Sequence, residues 1–247
     1  MKFSLKSLIW VARLTDQVKY KMSKLYLSDT YLFECDAKIT ATGTDEKGPY
    51  VLLDRTVFYP QGGGQPCDLG TLGASDVMMV KQVGEEVRHY CNGAAPGAQV
   101  RLVINGARRL ANARHHTASH LMAGIVNGLY ASLVAVKGHA FPGEAYVEFQ
   151  GECEVNLELL EQAMNAAVDA ALPAVIFDST PEKFEREFYK LPYEIPGGKE
   201  FRVLRIGDYP PVPCGGTHLK NTSEIGRVKI KKISAKNGGV KVSFEIS

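Results

Sequence analysis

The sequence has no long apolar run, few cysteines and little net charge. A membrane-spanning helix needs about 20 consecutive apolar residues, and no stretch of the 247 residues approaches that length. The five cysteines are odd in number and widely scattered, in a chain too large to need disulfide staples. These absences argue against a transmembrane or a disulfide-stapled protein. They predict a protein of the reducing cytoplasm, with no membrane partner and no obligate protein partner.

The small net charge hides an uneven distribution. The formal charge of +2 is too low to indicate nucleic-acid binding by itself. Residues 227–247, however, contain six lysines and arginines against one glutamate, a local charge of +5, and residues 1–23 carry five basic residues against one acid, a charge of +4. A basic end is usually solvated surface, and it becomes a phosphate contact only where other features point to nucleic acid. Residues 1–23 are predicted to be an N-terminal extension, either a surface arm or a weak organelle-targeting segment.

The apolar patterning predicts an α+β protein of two domains. Residues 24–107 contain short alternating runs separated by Gly, Pro and acidic clusters, which indicates a β-barrel-like N-terminal domain. Helical spacing then predicts a long helix over residues 108–134, and a second helix that is capped by Asn156 and ends before Pro173. Strands between and after these helices, the last two forming a hairpin around residues 237–239, predict a two-layer α/β domain over residues 108–247.

Two pairs of potential metal ligands lie far apart in the sequence. His116 and His120 are four residues apart on the predicted long helix, so both imidazoles project from one face. Cys214 and His218 are also four apart, in a Pro/Gly segment that is not regular helix. Three imidazoles and a thiolate are a ligand set that zinc prefers. The alternative is two surface histidines and a buried thiol, while His115 is predicted to face elsewhere.

A helical histidine pair also occurs in zinc proteases, where a glutamate beside the first histidine is the general base. Here Thr117 follows the first histidine, and no acid lies between the two. This argues against the protease interpretation.

Three motifs in this order carry a resemblance to a known family: RTVFYPQGGGQPCDLG at residues 55–70, HTASHL at 116–121 and CGGTH at 214–218. Together they resemble the editing domain of alanyl-tRNA synthetase and its freestanding relatives, the AlaX-type alanyl-tRNA editing proteins. The run RIGDYPPVPCGGTHLKNTSEIGRVKI extends the similarity, which covers residues 24–246. CGGTH favours the alanine system over the related threonyl-tRNA synthetase domain.

The resemblance implies a zinc-containing hydrolase that acts in trans on mischarged tRNA. The expected substrate is serine, and secondarily glycine, esterified to the 3′ adenosine of the alanine tRNA. The resemblance implies one Zn²⁺ per chain, held by His116, His120, Cys214 and His218. Cys214 is expected close to the reacting ester. We expect zinc to organise and polarise the substrate, because four protein ligands would close a tetrahedral site.

The glycine motif is expected to bind the substrate. Gly62, Gly63 and Gly64 would let backbone N–H groups approach the ester, and the Gln65 amide would hold the ester or the ribose. Because alanine is smaller than serine, a steric sieve cannot exclude it, and the site must reward the serine hydroxyl. By the resemblance, Thr56 is the residue that senses this hydroxyl. Without the resemblance, a β-hairpin turn is the simpler interpretation of the glycines.

Several cations are candidates for contacts with tRNA phosphates. Any one of them is also an ordinary solvated side chain. The candidates are Lys229, Lys231, Lys232, Lys241, Arg108, Arg109 and Arg114. Two alternative functions stay open, a non-catalytic zinc-stabilised tRNA-binding module and an editor of a different mischarged tRNA.

Overall fold

The structure is a computed structural model, which describes residues 22–92, 97–191, 200–236 and 238–247. The predicted N-terminal extension therefore lies outside the described residues except at its last two positions, and so does residue 237 of the predicted hairpin. No helix within the described ranges is long and apolar enough to cross a membrane.

The N-terminal half is a predominantly β structure. Its strands are β1 (Ser23–Lys24), β2 (Glu34–Asp45), β3 (Gly48–Leu53), β4 (Arg55–Thr56), β5 (Gly70–Leu72), β6 (Ser75–Val77), β7 (Met79–Val83), β8 (Glu86–Tyr90) and β9 (Gln99–Ile104). Seven of them form one antiparallel sheet in the order β6-β5-β9-β2-β3-β8-β7, while β1 pairs with β4 in parallel.

The long strand β2 joins the two parts of this sheet. Its residues 34–38 pair with β9 and its residues 39–45 pair with β3, with a register irregularity between Ile39 and Ala41. Alternate side chains of the sheet, among them Val51 and Leu102, fill an apolar core. The strand pattern predicted from the sequence is confirmed, and closure into a barrel stays a prediction.

The second half begins with the helix that carries the histidine pair. Helix α1 (Gly106–Leu129) starts at Asn105, whose side chain accepts a hydrogen bond from the Arg108 amide at 2.9 Å. Helix α2 (Leu157–Asp169) starts at Asn156, as predicted, with the equivalent bond from Leu159 at 2.8 Å. A third helix, α3 (Pro181–Glu187), follows Thr180.

Two antiparallel sheets accompany these helices. The first has the order β10-β11-β16-β15, and the second the order β12-β13-β14. Their strands are β10 (Val134–His139), β11 (Tyr146–Gln150), β12 (Ala174–Ser179), β13 (Phe201–Ile206), β14 (Val212–Pro213), β15 (Val228–Lys236) and β16 (Gly239–Ile246). One face of the four-stranded sheet packs on α1 and α2, with Phe149, Val242 and Phe244 in a common core.

Two sequence predictions are corrected here. The long helix ends at Leu129, before residue 134, because the chain turns at Tyr130 and enters strand β10 at Val134. Helix α3 was not predicted, although Thr180 followed by Pro181 is a typical helix start, with the threonine hydroxyl accepting a bond from the Lys183 amide. The α+β class is confirmed by this mixture of sheets and helices.

Candidate metal centre

The four predicted ligands converge at the junction between helix α1 and the loop after β14. The Nε2 atoms of His116 and His120 lie 3.2 Å apart, and the Cys214 Sγ lies 3.7 Å from the His116 Nε2 and 3.1 Å from the His218 Nε2. All four donor atoms lie within 4.8 Å of one another. The sequence prediction that these two distant pairs meet is confirmed by the structure.

The spacing of the donor atoms fits a tetrahedral zinc ion. Zinc bond lengths of about 2.1 Å to nitrogen and about 2.3 Å to sulfur give tetrahedral edges of about 3.4 Å between nitrogens and about 3.6 Å between nitrogen and sulfur. The distances of 3.2 Å between nitrogens and 3.7 Å between nitrogen and sulfur lie within about 0.2 Å of these edges, while the Cys214–His218 distance of 3.1 Å is about 0.5 Å shorter. Three imidazoles and one thiolate are also donors that suit zinc.

The side chain of Gln65 fixes the orientation of His116. The backbone amide of Thr217 donates to the Gln65 Oε1 at 3.1 Å, and the Gln65 Nε2 donates to the Thr217 Oγ1 at 2.8 Å, so the amide orientation is determined. The Gln65 Oε1 also lies 2.7 Å from the His116 Nδ1, which must therefore carry the proton. The His116 Nε2 then presents its lone pair to the other three donors.

Burial keeps the histidines neutral. It lowers the pKa of His120 to about 4. Burial, with the neighbouring His120 and Arg202, also lowers the pKa of His116 well below its ordinary value, and the same kind of environment lowers the pKa of His218. Neutral imidazoles offer lone pairs rather than protons, so the cluster suits a cation at neutral pH.

The thiol and its loop are held by Arg202 on strand β13. Burial raises the pKa of Cys214, while the Gly216 amide and Arg202 act in the opposite direction. The Arg202 Nη1 donates to the Cys214 carbonyl at 2.7 Å and to the Gly216 carbonyl at 2.9 Å. A side chain on Gly216 would collide with the His116 ring, since its Cβ would lie 2.1 Å from a ring carbon. Arg202 has no motif around it that could have marked it in the sequence.

Comparison with known proteins shows what this chain is similar to. The second additional domain of threonyl and alanyl tRNA synthetases matches residues 201–241. The alanyl-tRNA editing protein AlaX-L of Pyrococcus horikoshii is 34% identical over 87% of this chain. Over most of its length, the chain is similar to the AlaX-type alanyl-tRNA editing proteins. It is also similar to the alanine–tRNA ligases of Caldivirga maquilingensis (32% identical over 88% of this chain) and Pyrobaculum aerophilum (31% over 95%).

The chain spans only part of each relative. It covers 55% of the length of the Pyrococcus AlaX-L protein. It covers 26% and 28% of the two ligases.

The glycine motif forms a tight turn against strand β10. The backbone amides of Gly62 and Gln65 donate to each other's carbonyls, at 3.2 and 2.9 Å, around Gly63 and Gly64, which have φ values of +54° and +77°. The Gly64 carbonyl accepts the Ala140 amide at 2.7 Å. A Cβ on Gly64 would lie 2.2 Å from the Gly138 carbonyl oxygen, whereas one on Gly62 would make only ordinary contacts, the nearest with the Tyr59 hydroxyl at 3.9 Å. The turn interpretation therefore explains Gly63 and Gly64 without a ligand.

Arg109 is not a surface cation, which corrects its prediction as a tRNA contact. Its guanidinium is completely buried and forms an ion pair with Asp68, which is also completely buried. The Nη1 donates to the Thr30 carbonyl at 3.0 Å, and the Nη2 donates to the Val57 carbonyl. Because Asp68 belongs to the glycine motif and Arg109 to helix α1, this pair fastens the motif to the helix. Nothing in the sequence distinguishes Arg109 from its half-buried neighbour Arg108.

Thr56 lies within the core of the N-terminal half. Its hydroxyl oxygen is completely buried, 2.8 Å from the His89 Nε2, and accepts the Phe58 amide at 3.0 Å. Burial lowers the pKa of His89 to about 4, so this histidine is neutral. Contact of Thr56 with a substrate stays a prediction, and His89 is a partner that the sequence analysis missed.

The remaining predicted cations lie at the surface or near it. Lys229, Lys231 and Lys232 are exposed on β15, and Lys231 pairs with Glu245 at 2.9 Å. Lys241 on β16 places its ammonium 3.6 Å from the centre of the Tyr146 ring.

Two predicted arginines border helix α1. Arg108 is half-buried and donates to the Cys67 carbonyl at 3.1 Å, while Arg114 is exposed and donates to the Glu224 carbonyl at the same distance. The excluded neighbour His115 turns away from the metal ligands, bonding to the Ala111 carbonyl and stacking on Phe244, as predicted.

Proposed function

We propose that the protein hydrolyses the ester between serine and the 3′ adenosine of the alanine tRNA, acting in trans, with glycine as a second substrate. The observation that carries the proposal is the set of four convergent donors beside the glycine turn, in a chain similar to AlaX-L over 87% of its length. Water adds to the carbonyl carbon, the bond from that carbon to the ribose oxygen breaks, and the ribose hydroxyl takes a proton. Serine leaves as the free amino acid.

The donor set fits zinc, which His116, His120, Cys214 and His218 would hold. When bound, zinc would polarise the carbonyl or the amino group of the substrate. Gln65 acts as a positioning residue, because its oxygen is already occupied by His116 and by the Thr217 amide. Cys214 places its thiol at the reacting ester, and Arg202 holds the loop that carries it.

Discrimination between serine and alanine is assigned to Thr56. A serine hydroxyl would form a hydrogen bond with the buried Thr56–His89 pair, whereas alanine has no hydroxyl and would leave that hydrogen bond unmade. Thr56→Val is expected to abolish the preference for serine while the zinc content stays unchanged. Normal clearance of serine by this variant, with alanine still spared, would refute the assignment.

Recognition of the tRNA itself is assigned to exposed cations. Lys229, Lys231 and Lys232 on β15, with Arg108 and Arg114 at helix α1, would neutralise phosphates. Their contribution predicts that affinity for the tRNA falls steeply as salt rises.

The direct test is release of serine and of alanine from the charged alanine tRNA by purified protein. The Cys214→Ala variant removes one donor, and Cys153→Ala is the matched control, since Cys153 is half-exposed and outside the cluster. Release of serine alone, lost in the first variant and kept in the second, supports the proposal. A zinc-loaded protein that binds tRNA but releases neither amino acid would instead be a non-catalytic binding module.

A further inference from the structure

A ladder of stacked aromatic rings stands on the solvent side of the four-stranded sheet. The rings of Phe141 and His139 are nearly parallel, at 3°, with centres 4.2 Å apart. The other side of the His139 ring stacks on Tyr146, at 4.9 Å and 22°. All three side chains are half-buried. The ladder thus offers flat apolar surface next to water, which is an unusual place for three rings.

The strand register places these rings on the face that points away from the helices. Tyr146 alternates with the buried residues Val147 and Phe149, which pack against α1 and α2. His139 is the direct cross-strand partner of Tyr146. The ladder therefore belongs to neither apolar core.

Cations surround the ladder. The Lys241 ammonium lies 3.6 Å from the centre of the Tyr146 ring, and the Lys137 ammonium lies 5.8 Å from it. Strand pairing puts Lys232 on the same face, opposite Ser243, which is itself opposite Tyr146. Glu148 lies between Lys137 and Lys241 in the register, and the Glu144 carboxylate lies 3.9 Å from the His139 Nε2, so these five charges sum to +1. Positive charge around exposed rings is complementary to a polyanion whose bases can stack.

The ladder is connected to the metal centre through the glycine turn. The Ala140 amide, between His139 and Phe141, donates to the Gly64 carbonyl at 2.7 Å. The next residue, Gln65, holds the metal ligand His116 at 2.7 Å. The backbone of the ladder is thus linked to the cluster by two hydrogen bonds, Ala140 to Gly64 and Gln65 to His116, which the Gly64–Gln65 peptide bond joins. Because the rings stand on the sheet face away from the helices, a strand of RNA that ends at the cluster would have to pass the edge strand β10 to reach them.

We propose that the Phe141–His139–Tyr146 ladder is a stacking platform for the single-stranded bases that precede the 3′ terminal nucleotide of the substrate RNA, with Lys137 and Lys241 contacting the phosphates between them. A base stacks on the outer side of Phe141, whose inner side is covered by His139. Every base has a flat π-face, so the platform would bind unpaired bases whatever their sequence. This inference rests on the proposed function for the identity of the RNA.

The test measures RNA binding rather than hydrolysis, so that it is independent of the reaction. The probe is an uncharged six-nucleotide RNA that ends in CCA, with fluorescent 2-aminopurine replacing one base upstream of the terminal adenine. Stacking quenches this fluorophore, and anisotropy gives the dissociation constant. Phe141→Leu removes the ring but keeps apolar bulk, and Phe141→Tyr keeps the ring. Phe177→Leu is the matched control, because Phe177 is a half-buried ring on another sheet, next to Phe188.

We expect quenching with the unaltered protein, Phe141→Tyr and Phe177→Leu, and about tenfold weaker binding with Phe141→Leu. Lys241→Gln is expected to make the slope of log affinity against log salt concentration shallower by about 0.7, which is the contribution of one phosphate contact in single-stranded RNA. Zinc content and thermal unfolding check that each variant is folded. Where Phe141→Leu fails this check, an RNA with an abasic upstream position replaces it and is expected to bind about tenfold more weakly.

Two results would overturn the platform. One is equal affinity of folded Phe141→Leu and the unaltered protein, and the other is equal affinity for the abasic and the complete RNA. A protein that quenches the probe but releases no serine would keep the platform and lose the proposed function. A protein that releases serine but fails the stacking test would keep the proposed function and lose the platform.

Discussion

Arg109→Met is expected to destabilise the protein more than any surface substitution. The variant removes a buried guanidinium that pairs with Asp68 and donates to the carbonyls of Thr30 and Val57. Methionine fills part of the volume but has no donor. Asp68 then keeps a buried carboxylate with the Tyr59 amide, at 2.6 Å, as its remaining described partner.

The magnitude follows from the complete burial of both partners. Removing one member of a buried ion pair costs about 3–5 kcal/mol, because the other charge is left uncompensated. The unfolding equilibrium constant should therefore rise by between about a hundredfold and about a few thousandfold. In a chain of this size, the midpoint of thermal unfolding should fall by about 10 °C.

Urea unfolding and calorimetry of the variant measure this change. Arg108→Met is the control, since the neighbouring arginine is half-buried and should lose about 1 kcal/mol or less. The double variant Arg109→Met, Asp68→Leu should recover part of the loss, because no charge is left buried. A loss below about 1 kcal/mol for Arg109→Met alone would refute the reasoning.

Three further predictions concern the glycine turn, the metal ligands and pH. Gly64→Ala should destabilise the protein more than Gly73→Ala, because both have positive φ but only the first places a Cβ against backbone; equal free energies of unfolding would contradict this. Gln65→Ala should weaken zinc binding about 10- to 100-fold in chelator competition, because His116 loses its orienting partner, and unchanged affinity would count against that role. His89 has a folded pKa of about 4, below its unfolded value, so its contribution to stability is present above pH about 6.5 and is lost as pH falls towards 4. The free energy of unfolding of His89→Gln should therefore depend less on pH across this window, by about 3 kcal/mol in total, and an unchanged difference between wild type and variant would refute the burial argument.

The sequence predicted the parts of the molecule that rest on local patterns. Alternation of apolar residues located the strands, and the cap at Asn156 located the start of α2. A spacing of four residues was sufficient to pair His116 with His120 and Cys214 with His218. The two pairs could be joined into one predicted site because a tetrahedral zinc ion takes four such donors.

The remaining features depend on contacts between distant segments, which local patterns do not encode. Whether an arginine is solvated or buried depends on what packs over it, so Arg109 and Arg108 could not be distinguished. The contacts of the Gln65 amide with Thr217 and His116 join segments that are far apart in the sequence, so they could not be predicted, and contact of Gln65 with the substrate stays a prediction. The metal centre is thus completed by a side chain from the N-terminal half of the chain.

The most direct test of the account combines zinc content and serine release on the same samples. Protein is stripped with a chelator, shown by circular dichroism to remain folded, and reloaded with zinc in steps up to one equivalent per chain. The account predicts that the rate of serine release from the alanine tRNA rises in proportion to zinc content, and that Cys214→Ala does not follow this line. Serine release at the full rate by folded protein without zinc would contradict it.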